Sequence, residues 1–158
     1  MARIDVVHGH TANWLFYNLD AAVGDNCPNL RYDVLLVQYL LKEGCKAPHF
    51  AAIQTGAGFT QDVMQITGTW DQVWGGYLSN YLRTIARLGR PVVEDRRVDP
   101  VVAGHTRGSV HHMQYTIFYL NLGYLQLRPI DYPRLSEVGD CPAEVRSTLK
   151  VQFIRGDK

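Results

Sequence analysis

Apolar residues along the chain predict three helices separated by two long connections. The first helix, over residues 30–42, is hydrophobic on nearly every side, so we expect it to be central and covered. Asn29 is a suitable N-cap, Asp33 lies in the first turn, where the helix dipole favours an anion, and Gly44 is placed to end the helix. Gln38 interrupts the apolar run, and a buried amide must find hydrogen-bond partners. We therefore predict that it ties a loop backbone to this helix rather than binding a ligand.

The second helix has the clearest periodicity in the chain. Aromatic and aliphatic side chains recur at helical spacing over residues 70–88, with polar residues on the opposite face. Thr69 and Gln72 have the spacing of a capping box, and Gly89 marks the end of the helix. Gly75-Gly76 inside it indicates close approach of a neighbouring backbone or a kink, because each glycine costs about 1 kcal/mol relative to alanine. The regular stripe favours a core face over a carbohydrate-binding platform.

Outside these two helices the pattern of apolar and polar residues is less regular. Ser109 can cap a third helix over residues 110–124. The connection over residues 45–67 has little periodicity and is long for a compact domain, so we expect it either to hold a short extra element or to be the functional loop. Alternating residues at 2–7 and at 146–155 predict a short strand near each terminus, and the two strands could pair.

Three short motifs, in order, resemble those of peptidoglycan-binding domains. Residues 34–41, VLLVQYLL, are similar to the V-x-x-L-Q-x-x-L of that family's first helix. Residues 66–74, ITGTWDQVW, are similar to its G-x-(W/F)-D-x-x-(T/V) turn into the second helix. Residues 95–101, DRRVDPV, are similar to its D-G-x-(V/I) turn before the last helix, with Arg96 where glycine is usual. A second departure is Tyr81-Leu82, where the family has F-Q.

The resemblance implies a mainly α fold, with a three-helix core like that of peptidoglycan-binding domains, long loops, and room for short terminal β-strands. We expect a single domain over residues 1–158, with residues 23–124 as its core and 125–158 as a tail. The implied function is non-enzymatic binding of peptidoglycan or another cell-envelope component.

We expect any ligand surface to lie between the loop 90–107 and the polar side of the second helix. Arginines there can meet the carboxylates of stem peptides or of an acidic protein. A solvated charged face is the alternative, with a structural ion-pair cluster around the two aspartates. The candidate ligand-binding residues are Arg83, Arg87, Asp95, Arg96, Arg97 and Asp99.

A second hypothesis keeps the same scaffold and changes the partner. The chain would then be a protein-interaction or structural accessory of a bacterial secretion or phage-like injection apparatus, and would form an oligomer or a complex with another protein. The arginine in the third motif favours this hypothesis. So does an N-terminus without the features of a signal peptide, which predicts a cytoplasmic protein as synthesised, with export only by a specialised route.

The composition and net charge limit the classes of partner that we expect. A net charge of +1 supplies no field for binding nucleic acid. No stretch approaches the roughly 18 apolar residues of a membrane span. The three cysteines lack metal-site spacing. At most one disulfide could form, with Cys27 and Cys45 the nearest pair in sequence, and we favour free, largely buried thiols.

The sequence contains no catalytic motif that we recognise. There is no G-x-S-x-G elbow, no H-E-x-x-H pair and no phosphate-binding glycine loop. Adjacent histidines such as His111 and His112 point about 100° apart on a helix and make a poor chelate. We therefore predict no catalytic residues, no metal site and no cofactor, and a small hydrolase is the least favoured function.

Overall fold

The computed structural model of the chain describes residues 2–8, 13–50, 64–101 and 113–149, without the side chains of residues 6–8, 13, 14 and 49. The described part is mainly helical, as predicted. Its elements are β1 (Arg3–His8), β2 (Asn13–Asn18), β3 (Val23–Gly24), α1 (Arg31–Gly44), α2 (Gln72–Arg87), β4 (Arg97–Val98), α3 (Thr116–Leu127) and α4 (Ala143–Thr148), with 3-10 turns at Pro48–Phe50 and Tyr132–Glu137. None of the described helices is long and apolar enough to cross a membrane.

Helix α1 is central, as its apolar pattern predicts. It packs most extensively against α3 and also contacts α2 and α4. The predicted N-cap is wrong: Leu30 occupies that position, and Asn29 lies before it in the left-handed region at φ 51°. The Asn29 side chain instead bonds the backbone of Gly24, accepting from its N–H at 2.8 Å and donating to its carbonyl at 2.9 Å. Asn29 therefore closes the turn that leads into α1.

Helix α2 begins on a different cap from the one predicted. Asp71 is the N-cap and accepts a 2.9 Å hydrogen bond from the Trp74 N–H, so the capping box of Thr69 and Gln72 is wrong. The end is as predicted, with Gly89 at φ 75° just after the helix. The apolar stripe is buried over residues 74–85. Towards its ends, Trp70 is partly buried, Val73 is 54% exposed and Leu88 is 52% exposed.

The third helix starts later than predicted. Helix α3 begins at Thr116, and residues 113–115 are not helical because the Gln114 N–H bonds the Pro91 carbonyl at 2.9 Å. Ser109 and residues 110–112 lie outside the described residues. Asn121 ties α3 to β2 by accepting from the Tyr17 N–H and donating to the Tyr17 carbonyl, both at 2.8 Å.

The two terminal strand predictions have different outcomes. The N-terminal strand is confirmed as β1, and it pairs antiparallel with β2, which the sequence did not predict. The strand predicted over residues 146–155 is wrong for 146–148, which belong to α4; residues 150–155 lie outside the described residues. Val145 and Leu149, one helical turn apart, are both buried, so the apolar spacing there is helical.

Candidate functional site

The segments of the first two motifs meet at Gln38. The Gln38 Oε1 accepts hydrogen bonds from the N–H groups of Thr67 at 3.0 Å and Gly68 at 2.9 Å. Its Nε2 donates to the Thr69 carbonyl at 2.9 Å. The predicted role of Gln38 is therefore confirmed: it holds the turn that enters α2 against the middle of α1.

The third motif joins the same region through Asp25, in the turn before α1. Trp70 Nε1 donates to the Asp25 carboxylate at 3.3 Å, and the other Asp25 oxygen lies 3.4 Å from Arg96 Nε. Arg96 Nη2 donates to Gln72 Oε1 at 3.0 Å. Residues from all three motifs, 66–72, 95–98 and Gln38, thus belong to one connected polar arrangement around the start of α2, which we call the motif junction.

The motif junction contains the backbone conformation for which glycine is usual. Arg96 has φ 55°, in the left-handed region where a side chain costs roughly 1–2 kcal/mol. Its carbonyl packs against Gly24, where an added Cβ would lie 2.5 Å from that oxygen. The guanidinium contacts to Asp25 and Gln72 oppose this cost, so an arginine is accommodated in a turn of glycine geometry.

The glycine pair in α2 is explained by the same arginine. A Cβ on Gly75 would lie 2.0 Å from Arg96 Nη2, whereas a Cβ on Gly76 would meet nothing within 4 Å. Close approach of a neighbour is therefore the reason for Gly75, although the neighbour is a side chain and not a backbone. The Arg96 guanidinium therefore packs directly against the backbone of α2 at Gly75.

The predicted ligand-binding residues are partly paired with one another. Arg97 Nε donates to Asp99 at 2.7 Å, and the Arg97 N–H donates to Asp95 at 3.2 Å. Burial raises the pKa of the Asp95 carboxyl. The structure thus brings Asp95, Arg96, Arg97 and Asp99 together in one loop, in the ion-pair arrangement considered above.

The two remaining predicted residues lie on α2. Arg83 Nε is 3.7 Å from the Glu94 carboxylate, and both side chains are about half exposed, at 56% and 45%. Arg87, four residues further along, is exposed in the last helical turn. Residues four apart share a helix face, so these two arginines lie on one side of α2, where Arg83 contacts Glu94. A ligand role for the six residues stays a prediction.

A second charged cluster was not predicted. Arg128 reaches the carboxylates of Asp131 and Asp140, both at 2.7 Å, and that of Glu43 at 3.4 Å. Burial opposes ionisation of Asp140, but hydrogen bonds from Arg128 and Tyr39 prevail and lower its pKa below the ordinary value. This cluster ties α1 to the end of α3 and to the turn before α4. The sequence places Asp131 three residues from Arg128 but does not reveal the cluster, because Glu43 is 85 residues away in the chain.

The cysteines are free thiols, as predicted. Cys45 and Cys141 are buried, and burial raises the pKa of each to about 12. Cys27 is half-buried, and burial raises its pKa as well. The protonated form therefore predominates at all three in neutral solution, and burial also keeps reagents from Cys45 and Cys141, whereas Cys27 is accessible.

An apolar cleft of about 210 Å³ lies between α2 and α3. Tyr81 lines it and stacks on Phe50, with 4.5 Å between ring centroids and 13° between planes. The Tyr81 hydroxyl donates to the Tyr119 carbonyl at 3.1 Å, and Gly123 allows this approach, because a Cβ there would lie 3.0 Å from that hydroxyl oxygen. The sequence assigns these aromatic residues to the core and does not reveal that a cleft opens beside them.

The described residues contain no group of three or more histidine, cysteine, aspartate or glutamate side chains that could hold a metal ion. All six histidine side chains lie outside the described part of the chain. The predicted lack of a metal site therefore stays a prediction.

Comparison of the chain with protein-family models, with characterised proteins and with solved structures gave no match.

Proposed function

We propose that this chain is a non-enzymatic binding module, built on a three-helix core like that of peptidoglycan-binding domains, whose ligand is peptidoglycan or another cell-envelope component. The motif junction carries the proposal. Three sequence segments that resemble one family in order and spacing also contact one another, through Gln38, Asp25 and Arg96. Such mutual contacts are expected of motifs that belong to one inherited scaffold.

Arg83 and Arg87 are the residues of the predicted surface most suited to a ligand. Arg96 is held by Asp25 and Gln72, and Arg97 by a 2.7 Å bond to Asp99. The Arg83–Glu94 contact is long and exposed, so it contributes little and is easily exchanged for a ligand carboxylate. Two arginines on one helix face can engage the carboxylates of a stem peptide by paired hydrogen bonds.

Sedimentation with purified sacculi at neutral pH and moderate salt tests this function. We expect the wild-type chain to sediment with the sacculi, and Arg83→Gln or Arg87→Gln to weaken binding by about threefold to fivefold, the effect of one exposed charge pair. Arg134→Gln, which removes an exposed arginine from the 3-10 turn Tyr132–Glu137, is the matched control and should bind normally. A wild-type chain that stays in the supernatant refutes the proposal.

The second candidate function is that of a protein-interaction or structural accessory of a bacterial secretion or phage-like injection apparatus. Two observations favour it. Arg83, Arg96 and Arg97 already have carboxylate partners within the chain, which leaves less charge for a ligand. Large apolar side chains are also exposed, with Ile130 at 74%. This function predicts a stable oligomer or a co-purifying protein; a monodisperse monomer without a partner in light scattering counts against it.

A further inference from the structure

The cleft between α2 and α3 has a largely hydrophobic interior, and the hydroxyl protons of its two tyrosines already have acceptors. The Tyr81 hydroxyl donates to the Tyr119 carbonyl at 3.1 Å, and the Tyr119 hydroxyl donates to the Pro91 carbonyl at 3.3 Å. Apolar side chains supply much of the remaining lining, among them Phe50, Ile85 on α2 and Leu122 on α3. An occupant of the interior therefore gains by burying apolar surface, and these tyrosines offer it no hydrogen-bond donor.

Among the described residues that line the cleft, one is charged. This residue is Arg90, whose side chain is exposed and forms no ion pair with another described side chain. Gln126 also lines the cleft, and it too is exposed. An apolar interior beside an arginine and an amide is complementary to an apolar group that bears a carboxylate.

The size of the cleft decides what kind of molecule carries that carboxylate. Sites that enclose an organic ligand usually measure about 300–1,000 Å³, and this cleft has about 210 Å³, enough for one side chain. Its edge continues onto Leu88, which is 52% exposed, so a longer occupant can extend outward over apolar surface. One buried residue with the remainder outside describes the end of a peptide chain better than a free small molecule.

We propose that this cleft binds the C-terminal residue of a polypeptide, with an apolar last side chain between α2 and α3 and the terminal carboxylate on Arg90 and Gln126. Capture of a chain terminus by its carboxylate is a known mode of peptide recognition. The partner is thus defined by its last residue. This inference goes beyond envelope binding and does not rest on it.

Chemical-shift mapping of the full chain tests the proposal with two peptides that differ only at the terminus. The probe is acetyl-Gly-Gly-Phe with a free carboxylate, and its partner is the same peptide as the C-terminal amide. We expect the acid to shift the backbone signals of residues 119–126 and 85–90, and the amide to bind about fivefold to tenfold more weakly. Equal binding of acid and amide, or shifts confined to other residues, overturns the proposal.

Two substitutions locate the carboxylate. Arg90→Gln should remove the preference for the acid, and Gln126→Glu should weaken binding of the acid by repulsion while leaving binding of the amide unchanged. Both residues are exposed, so neither change should affect folding. Arg134→Gln is the control and should keep the full preference. If Arg90→Gln binds the acid as well as the wild-type chain does, the carboxylate is not held at this rim and the proposal fails.

Discussion

Removal of the Gln38 amide should destabilise the chain, because it would take one hydrogen bond from each of three backbone groups at the entry to α2. Gln38 is 0% exposed, and its amide serves the N–H groups of Thr67 and Gly68 and the Thr69 carbonyl. Gly68 is buried, so its N–H would lose its partner completely, at a cost of about 1–3 kcal/mol. The groups of Thr67 and Thr69 belong to exposed residues and can turn to water, so each adds about 0.5 kcal/mol.

These contributions predict a loss of about 2–4 kcal/mol in the free energy of unfolding for Gln38→Met, which keeps most of the volume and removes the hydrogen bonds. Urea unfolding followed by far-UV circular dichroism should show a lower midpoint with an unchanged slope. Gln126→Ala, at an exposed amide on α3, is the control and should change stability by less than about 0.5 kcal/mol. If Gln38→Met were as stable as the wild-type chain, the proposed tie between α1 and the α2 entry would be wrong.

Three further predictions follow from single sites. Gly76→Ala should stabilise α2 by about 0.5–1 kcal/mol, because its Cβ would meet no neighbouring atom. Gly75→Ala should be less stable than Gly76→Ala by about 1–2 kcal/mol, because its Cβ would displace the Arg96 guanidinium. Urea unfolding compares the two variants, and equal midpoints would contradict the close contact between Gly75 and Arg96. Burial raises the pKa of Asp33, so its charged form is penalised in the folded state. The stability of the wild-type chain relative to Asp33→Asn should therefore increase as pH falls through that raised pKa towards the ordinary value, and a flat difference across this range would contradict it. A thiol reagent at neutral pH should modify Cys27 in the folded chain and reach Cys45 and Cys141 only on unfolding, since both are buried with a pKa of about 12; fast modification of all three would be inconsistent with the structure.

The helices were predictable where burial is decided by periodicity. The stripe at residues 70–88 packs against one continuous core, so its spacing alone defines α2, and the unbroken apolar run of α1 identifies the helix that several others cover. Gln38 was predictable for a related reason, since a buried amide in such a run must have partners.

The caps were harder to predict, because several polar residues near a helix start can accept the same N–H groups. Thr69 and Asp71 both qualify as the cap of α2, and only the path of the preceding turn selects Asp71. Asn29 is a favourable cap by residue type, but its side chain bonds Gly24 instead, which no local pattern reveals.

The candidate sites depend on contacts that are distant in sequence. The sequence identifies Arg96 as a residue at a position where glycine is usual. Its contact with Gly75 could not be predicted, because it depends on how β4 approaches α2. The cleft is even harder to predict from the sequence, because Tyr81 and Tyr119 belong to separate helices and both have the spacing of core residues. Sequence periodicity indicates which side chains turn inward, but not whether the facing helices fill the space between them.

The measurement closest to the central claim is a binding isotherm of the full chain on purified sacculi, recorded together with the release of soluble fragments. A non-enzymatic envelope-binding module predicts saturable sedimentation at neutral pH and moderate salt, with no fragments above those of a sample without protein. A chain that stays in the supernatant at every concentration of sacculi would contradict the binding function. Soluble fragments that accumulate with time would contradict its non-enzymatic character.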